Sequence, residues 1–235
     1  MLRVDKINKI KKLGLWIFLI TFISVNVCLI LAQSFEFREH DVPSPGNYYG
    51  DLKIYNIGDA IADKSSEWII PYLDGTSSIS RVVRVFPNNI LFKLSMFVTG
   101  ILLIRYWLLN KKLIEDLKIK ETATNKMIFF GICSAIFLII HSIFLGIKFD
   151  IAIYKLFRRI ILLLFILMEI TAQFYLIKIF YKNKDLIEKF INIKILNIKK
   201  MLVYLLIIIA ALILPFLPFA NLKILKHALE WNYFL

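Results

Sequence analysis

The sequence predicts an all-α integral membrane protein, a bundle of five transmembrane helices with a partly ordered extracytoplasmic loop between the first two. Of its 235 residues, 59% are hydrophobic, whereas soluble domains contain about 45–50%. Runs of about twenty apolar residues have the length needed to cross the hydrocarbon core of a bilayer, which is about 30 Å thick. Such runs lie at 13–32, 88–107, 127–147, 156–177 and 201–219. The chain is therefore a single membrane domain, 1–235, and a sixth helix could begin after residue 219.

The first run follows a basic N-terminal segment and precedes the small residues of Ala32-Gln33-Ser34, as in a secretory signal peptide. Its apolar stretch is longer than the signal-peptide core of about 7–15 residues. We therefore expect a retained helix. The second run begins at Pro87-Asn88-Asn89, where proline fixes φ and asparagine is expected to cap the free N–H groups of a helix start.

Basic residues predict the orientation of the bundle, because Lys and Arg near span ends favour the cytosolic side. Residues 1–12 and the second and fourth connections between spans carry 18 of the 30 basic residues. Loop 33–87 has five basic and eight acidic residues. We expect the N-terminus in the cytosol and this loop outside or in the lumen. The membrane is either the plasma membrane or an endomembrane.

The net charge of +13 does not indicate nucleic-acid binding, because the basic residues lie beside helix ends, where they anchor a protein to an anionic leaflet. Segment 182–200 mixes lysines with apolar residues. It is either an interfacial helix on the cytosolic surface or an extension of a neighbouring span.

Motifs of catalysis, metal binding or phosphate binding are missing from the sequence. Cys28 and Cys133 both lie within spans, and His40, His141 and His227 are scattered. We predict no cofactor and no metal, and we expect bound phospholipid. Catalytic residues cannot be assigned, and whether the chain is an enzyme stays open.

Polar residues inside the spans point to a candidate site, since each costs roughly 2.5–3.5 kcal/mol at mid-bilayer unless it is paired or hydrated. We predict a polar cavity in the outer half of the bundle, formed by Asn26, Lys93, His141, Glu169 and Gln173. Glu169 and Gln173 share one helix face, and Lys93 is long enough to pair with Glu169. The alternative is that each group is satisfied locally and the set is structural.

Arginines at the predicted outer face are candidate contacts for lipid headgroups, because the guanidinium fork suits phosphate. They are Arg81, Arg84, Arg158 and Arg159. We further expect segment 71–86 to fold back over the outer end of the bundle and cover the polar cavity, because its many apolar side chains would otherwise face water.

The order of residues in this region resembles a known family. Pro71-Tyr72-Leu73-Asp74-Gly75-Thr76 precedes a serine-rich gap, then Arg84-Val85-Phe86, and the next span closes in Arg105-Tyr106. This plan is similar to the six-helix family of the damage-regulated autophagy modulators (DRAM), the FGF-receptor-activating-gene (FRAG) proteins of GPI-anchor remodelling and the yeast SFK proteins. The family-like residues are Pro71, Tyr72, Asp74, Gly75, Glu230 and Trp231.

The resemblance covers the overall plan and two short patches of the chain, about 45 residues in all. Leu73 replaces the family's serine, and Ser78-Ile79-Ser80 replaces its Pro-Glu-Ser. The likeness implies handling or remodelling of lipid headgroups, of GPI-anchored lipid or phospholipid, at the outer or lumenal leaflet. The alternative is a non-catalytic subunit of a larger membrane complex, with membrane proteins as partners. A transporter is disfavoured, because no internal repeat is visible.

Overall fold

A computed structural model describes residues 2–34, 72, 79–83, 86–119, 121–145, 152–188 and 190–213. Within these ranges every regular secondary-structure element is a helix, and no strand occurs. In chain order they are α1 (Leu2–Ser34), α2 (Ile79–Val82), α3 (Asn88–Asp116), α4 (Thr122–Phe144), α5 (Ala152–Lys182), α6 (Lys184–Ile187) and α7 (Ile193–Ile213).

Four of the helices are long and apolar enough to cross a membrane: α1 over Asp5–Ala32, all of α3, all of α4, and α5 over Leu156–Lys182. They coincide with the first four predicted spans. The fifth predicted span begins inside α7 and continues past residue 213, outside the described part of the chain. The count of five spans, the sixth helix and the order within loop 33–87 therefore stay predictions.

Large apolar side chains lie exposed along the helices, as expected where lipid rather than water is the neighbour. They occur on all four long helices and include Leu15, Leu94, Ile101, Phe129 and Ile160. Most of these exposed apolar side chains would be unfavourable in contact with water. Their distribution agrees with an integral membrane protein.

Segment 182–200 is divided in the structure. After the four-residue helix α6, the chain turns and α7 begins at Ile193. Asn192 starts it, since its Oδ1 accepts a hydrogen bond from the Lys194 backbone N–H at 2.8 Å, which is the usual geometry of an N-cap. The second half of the segment is thus the beginning of the last described helix rather than a separate helix.

The chain forms two compact units. One contains Met1–Ile17, Phe97–His141 and Arg159–Phe216, and the other contains Phe18–Met96, Ser142–Arg158 and Leu217–Leu235. Among described residues, the first has a core that includes Trp107, Ile114, Met127, Leu176 and Ile179. The core of the second includes Val25, Val82, Val83, Phe92 and Met96.

α3 ends in a Schellman motif. Ile119 N–H donates to Ile114 O at 3.2 Å and Lys118 N–H donates to Glu115 O at 2.9 Å, and the buried side chains of Ile114 and Ile119 supply the accompanying apolar residues. Lys118 occupies the left-handed position with φ of 58°, where glycine is usual. The motif sends the chain into α4 through a turn of five residues.

Ion pairs hold the ends of this turn within the same unit. Lys6 of α1 pairs with Asp116 at the end of α3. Lys182 at the end of α5 pairs with Glu121, which precedes α4, at 2.7 Å. Residues far apart in sequence therefore meet on both sides of the turn.

Candidate functional site

The two units divide the five residues of the predicted polar cavity. Asn26 and Lys93 belong to one unit, and His141, Glu169 and Gln173 belong to the other. Each group is therefore described within its own unit. The predicted Lys93–Glu169 pair, and the gathering of all five residues around one cavity, stay predictions.

Glu169 is the centre of a hydrogen-bond cluster that joins three helices, which we call the Glu169 cluster (Trp107, Ser134, Glu169 and Gln173). Ser134 Oγ of α4 lies 2.7 Å from Glu169 Oε2, and Trp107 Nε1 of α3 donates to the same oxygen at 3.3 Å. Gln173 Nε2, one turn further along α5, donates to Oε1 at 2.8 Å. Both carboxyl oxygens thus have partners, which reduces the cost of placing the group in a membrane.

Gly131 determines how closely Trp107 approaches α4. A Cβ at this position would overlap the indole atoms Cγ and Cδ2 of Trp107. Both Trp107 and Ser134 are fully buried, with 0% of their surface exposed. The absence of a side chain at Gly131 lets the indole lie against the α4 backbone, from which its N–H reaches Glu169.

The sequence predicted Glu169 and Gln173 as neighbours, and the 2.8 Å contact confirms that. Trp107 and Ser134 were missed. A signal for Ser134 exists in the run Gly131-Ile132-Cys133-Ser134-Ala135, where small residues interrupt a helix otherwise rich in Phe, Ile and Leu. Small residues in membrane helices often mark a close helix contact, and serine there can hydrogen-bond across it.

The chemistry available to this cluster is hydrogen bonding and proton exchange at one carboxyl group. Among the described residues, Ser134 Oγ hydrogen-bonds to Glu169 Oε2 and, at 2.8 Å, to Gly131 O. Of these two partners, the carboxyl group is the one that can take up a proton. Within the described residues there is no group of three His, Cys, Asp or Glu side chains that would hold a metal ion. By its hydrogen bonds the cluster joins α3, α4 and α5.

The other unit joins the family-like motif to the first span. Tyr72 OH donates to Asn26 Oδ1 at 3.0 Å, and Asn26 Nδ2 donates to Phe22 O of its own helix at 2.8 Å. Burial raises the pKa of the Tyr72 hydroxyl, and the hydrogen bond to Asn26 partly opposes that shift. Asn26 is thus satisfied within this unit on both sides of its amide.

Asn88 makes a second junction between the segment after the motif and α1. Its Nδ2 donates to Cys28 O at 2.8 Å and to Val82 O at 3.0 Å. Its Oδ1 accepts no hydrogen bond from the described residues, so Asn88 itself does not cap the free N–H groups of this helix start. The helix still begins at Asn88, and its first turn closes on Pro87 O at 3.1 and 3.2 Å from the N–H groups of Ile90 and Leu91.

Segment 79–86 is covered at one end and open at the other. Ile79, Val82 and Val83 are buried, but Phe86 is 53% exposed. The ring of Phe86, two residues before α3, is thus open to the surroundings. That segment 71–86 covers the polar cavity stays a prediction.

The remaining candidates are placed only in part. Arg159 is exposed and Arg158 is partly buried, both in the first turns of α5. The residues that lie outside the described side chains are Pro71, Asp74, Gly75, Arg81, Arg84, Glu230 and Trp231. For these the sequence-based expectations stand unchanged.

Comparison with known proteins identifies no relative of this chain. No protein-family model, no curated protein and no solved structure matches the chain. The resemblance drawn from Pro71–Thr76 and the arrangement of spans consequently rests on the sequence alone. What the structure establishes is a helical chain with four helices able to span a membrane.

Proposed function

We propose that this chain is a multi-pass membrane protein of DRAM/FRAG type that handles or remodels lipid headgroups at the outer or lumenal leaflet. The ligand is a phosphate-bearing headgroup, either of a phospholipid or of a GPI-anchored lipid. One observation carries the proposal: Tyr72, from the family-like motif, donates a hydrogen bond to Asn26, one of the polar residues within the first span.

This contact joins Tyr72 to a polar group within an apolar helix. Both side chains are only partly buried, so a headgroup has access to the pair. The buried residues Ile79 and Val82 and the Asn88 junction hold the following segment on α1. A motif tethered on a rigid helix suits recognition better than a connector that merely joins two spans.

The start of α5 supports the same proposal. Arg158 and Arg159 follow exposed apolar residues, of which Ile153 is 77% exposed. Arg159 is exposed, and an exposed arginine at the end of a membrane helix can extend its guanidinium to headgroup depth. Phosphate is the group that arginine binds best there.

Lipid analysis of the purified protein tests the proposal. We expect wild-type protein to retain phospholipid or GPI-anchored lipid, identified by mass spectrometry, and Tyr72→Phe to retain less with its fold intact. Tyr175→Phe is the matched control, because it also removes a hydroxyl but lies in the other unit, where its ring stacks on Phe130 at 5.9 Å.

The identity of the retained lipid distinguishes phospholipid from GPI-anchored lipid. Unchanged lipid in Tyr72→Phe, with an unchanged melting temperature, would contradict the proposal. Copurification of a membrane protein at a fixed stoichiometry and without bound lipid would instead support the role of a subunit in a larger complex.

A further inference from the structure

We propose that a cleft between α5 and α7 binds the phosphate group of an anionic phospholipid in the leaflet on the predicted cytosolic side. The cleft has a volume of about 230 Å³. It is distinct from the outer-leaflet site proposed above and does not depend on it. Its walls are formed by Phe174, Ile177, Lys178, Tyr181, Lys200 and Tyr204.

Contacts between the two helices fix the walls of this cleft. Tyr181 OH of α5 donates to Asn197 Oδ1 of α7 at 3.0 Å. One to two turns away, the rings of Phe174 and Tyr204 meet edge to face, with centroids 6.1 Å apart. The cleft between these two contacts is therefore preformed.

Lys200 is held inside the cleft by the aromatic rings. Its Nζ lies 4.2 Å from the centroid of the Tyr181 ring and 5.9 Å from that of Tyr204, both within the range of a cation–π interaction. The cation is thus positioned without being neutralised.

Lys178 adds a second positive charge at the same cleft. It is exposed and lies one turn before Tyr181 on α5. Among the described residues no carboxylate pairs with Lys178 or Lys200, whereas Lys182 pairs with Glu121 and Lys6 with Asp116. Two uncompensated lysines around one cleft are complementary to an anion with several oxygen acceptors.

The surroundings of the cleft favour a lipid as the source of that anion. α7 continues from Lys200 into exposed apolar residues, of which Met201 is 64% exposed, followed by Leu202 and Leu205. The α5 wall is the last turns of a segment able to span a membrane. A phosphate held by the lysines would therefore have its acyl chains beside apolar side chains.

Binding of phosphatidic acid to the full chain in detergent tests the proposal by native mass spectrometry. The Lys178→Gln, Lys200→Gln double variant should bind roughly thirtyfold more weakly, and Lys178→Gln alone about fivefold, from the usual contribution of a lysine near an anionic headgroup. The single variant changes only an exposed side chain, so it keeps the test valid if the double variant loses its fold.

The matched control is the Lys184→Gln, Lys194→Gln double variant, which removes the same charge from exposed lysines outside the cleft. It should bind phosphatidic acid as the wild type does. Equal losses in both double variants would overturn the proposal, because they would reflect general charge. Displacement of phosphatidic acid by millimolar inorganic phosphate would overturn the lipid assignment in favour of a soluble phosphate ligand.

Discussion

The Ser134 hydroxyl and the Glu169 carboxyl group meet at 2.7 Å between α4 and α5. The same carboxyl oxygen accepts the Trp107 indole N–H of α3. One acidic side chain thus connects three helices by side-chain hydrogen bonds. A carboxyl group is costly in a membrane. The hydrogen bonds between the three helices explain the presence of Glu169 without a further ligand.

Glu169→Leu should destabilise the protein by about 1–3 kcal/mol, the cost of leaving buried donors such as the Trp107 N–H unpaired. Glu169→Gln keeps an acceptor oxygen and should lose clearly less. Thermal unfolding in detergent measures both. Glu188→Gln, at an exposed position, is the control and should match the wild type. Equal losses for Leu and Gln would show that the hydrogen bonds contribute nothing.

Gly131→Ala should destabilise by about 1–3 kcal/mol, because the added methyl group overlaps the Trp107 ring and forces the packed helices apart. Gly14→Ala is the matched control. Its Cβ would meet Tyr106 Cε2 at 3.9 Å, an ordinary contact, and alanine favours a helix. Thermal unfolding should rank Gly14→Ala at or above wild type. A neutral Gly131→Ala would refute the close approach.

Lys118→Gly should stabilise the protein by about 1 kcal/mol, because the left-handed backbone at φ of 58° costs a residue with a Cβ about that much. Lys112→Gly removes the same side chain from the exposed interior of α3, and there glycine should cost about 1 kcal/mol. Unfolding measurements should therefore show a gain in stability for Lys118→Gly and a loss for Lys112→Gly. A loss of stability in both would contradict the assigned end of α3.

Tyr72 should make the protein sensitive to alkali. Burial raises the pKa of its hydroxyl, so the neutral form is favoured in the fold. Its contribution is fully present below the ordinary tyrosine pKa of about 10 and is lost as pH rises through the raised value, where phenolate can no longer donate to Asn26. Melting temperatures measured at increasing pH should fall less steeply in Tyr72→Phe than in Tyr175→Phe. Identical slopes would argue against the contact.

Labelling of single cysteines should place Gly46 and Glu115 on opposite sides of the membrane. Glu115 carries an exposed side chain near the end of α3, and the distribution of basic residues predicts that it faces the cytosol. In sealed vesicles, with Cys28 and Cys133 replaced by serine, a membrane-impermeant maleimide should modify only one of the two positions. Modification of both from one side would refute the assigned spans.

The positions of four spans followed from apolar run length alone, because lipid requires that length whatever the packing. The start of α3 at Asn88 was also predicted, although its amide bonds Cys28 O and Val82 O instead of capping the helix. Pro87 O accepts the hydrogen bonds of the first turn, which agrees with a helix start directly after the proline. The length and the boundaries of a helix depend on neighbouring residues, so they can be predicted directly from the sequence.

Contacts between residues that are far apart in sequence could not be predicted from sequence patterns. Lys6 and Asp116 are separated by 110 positions, and nothing in either neighbourhood indicates the other. Trp107 looked like an ordinary span residue, because bulky rings are common in membrane helices. The small residues around Ser134 indicate a close helix contact, but they do not identify its partner. Only the three-dimensional course of α3 and α4 brings them to Glu169.

The Glu169 cluster has a consequence for the order of biosynthesis. Trp107 and Ser134 are translated before Glu169, so α3 and α4 enter the membrane while their acceptor does not yet exist. Ser134 can meanwhile use Gly131 O of its own helix at 2.8 Å, whereas the hydrogen bond of the Trp107 N–H among the described residues is to Glu169 on the later helix. The later helix in turn brings a carboxyl group that lipid disfavours. We therefore expect α3 and α4 to offer α5 a preformed pair of hydrogen-bond donors when it inserts, which would favour the register that brings Glu169 to Trp107 and Ser134.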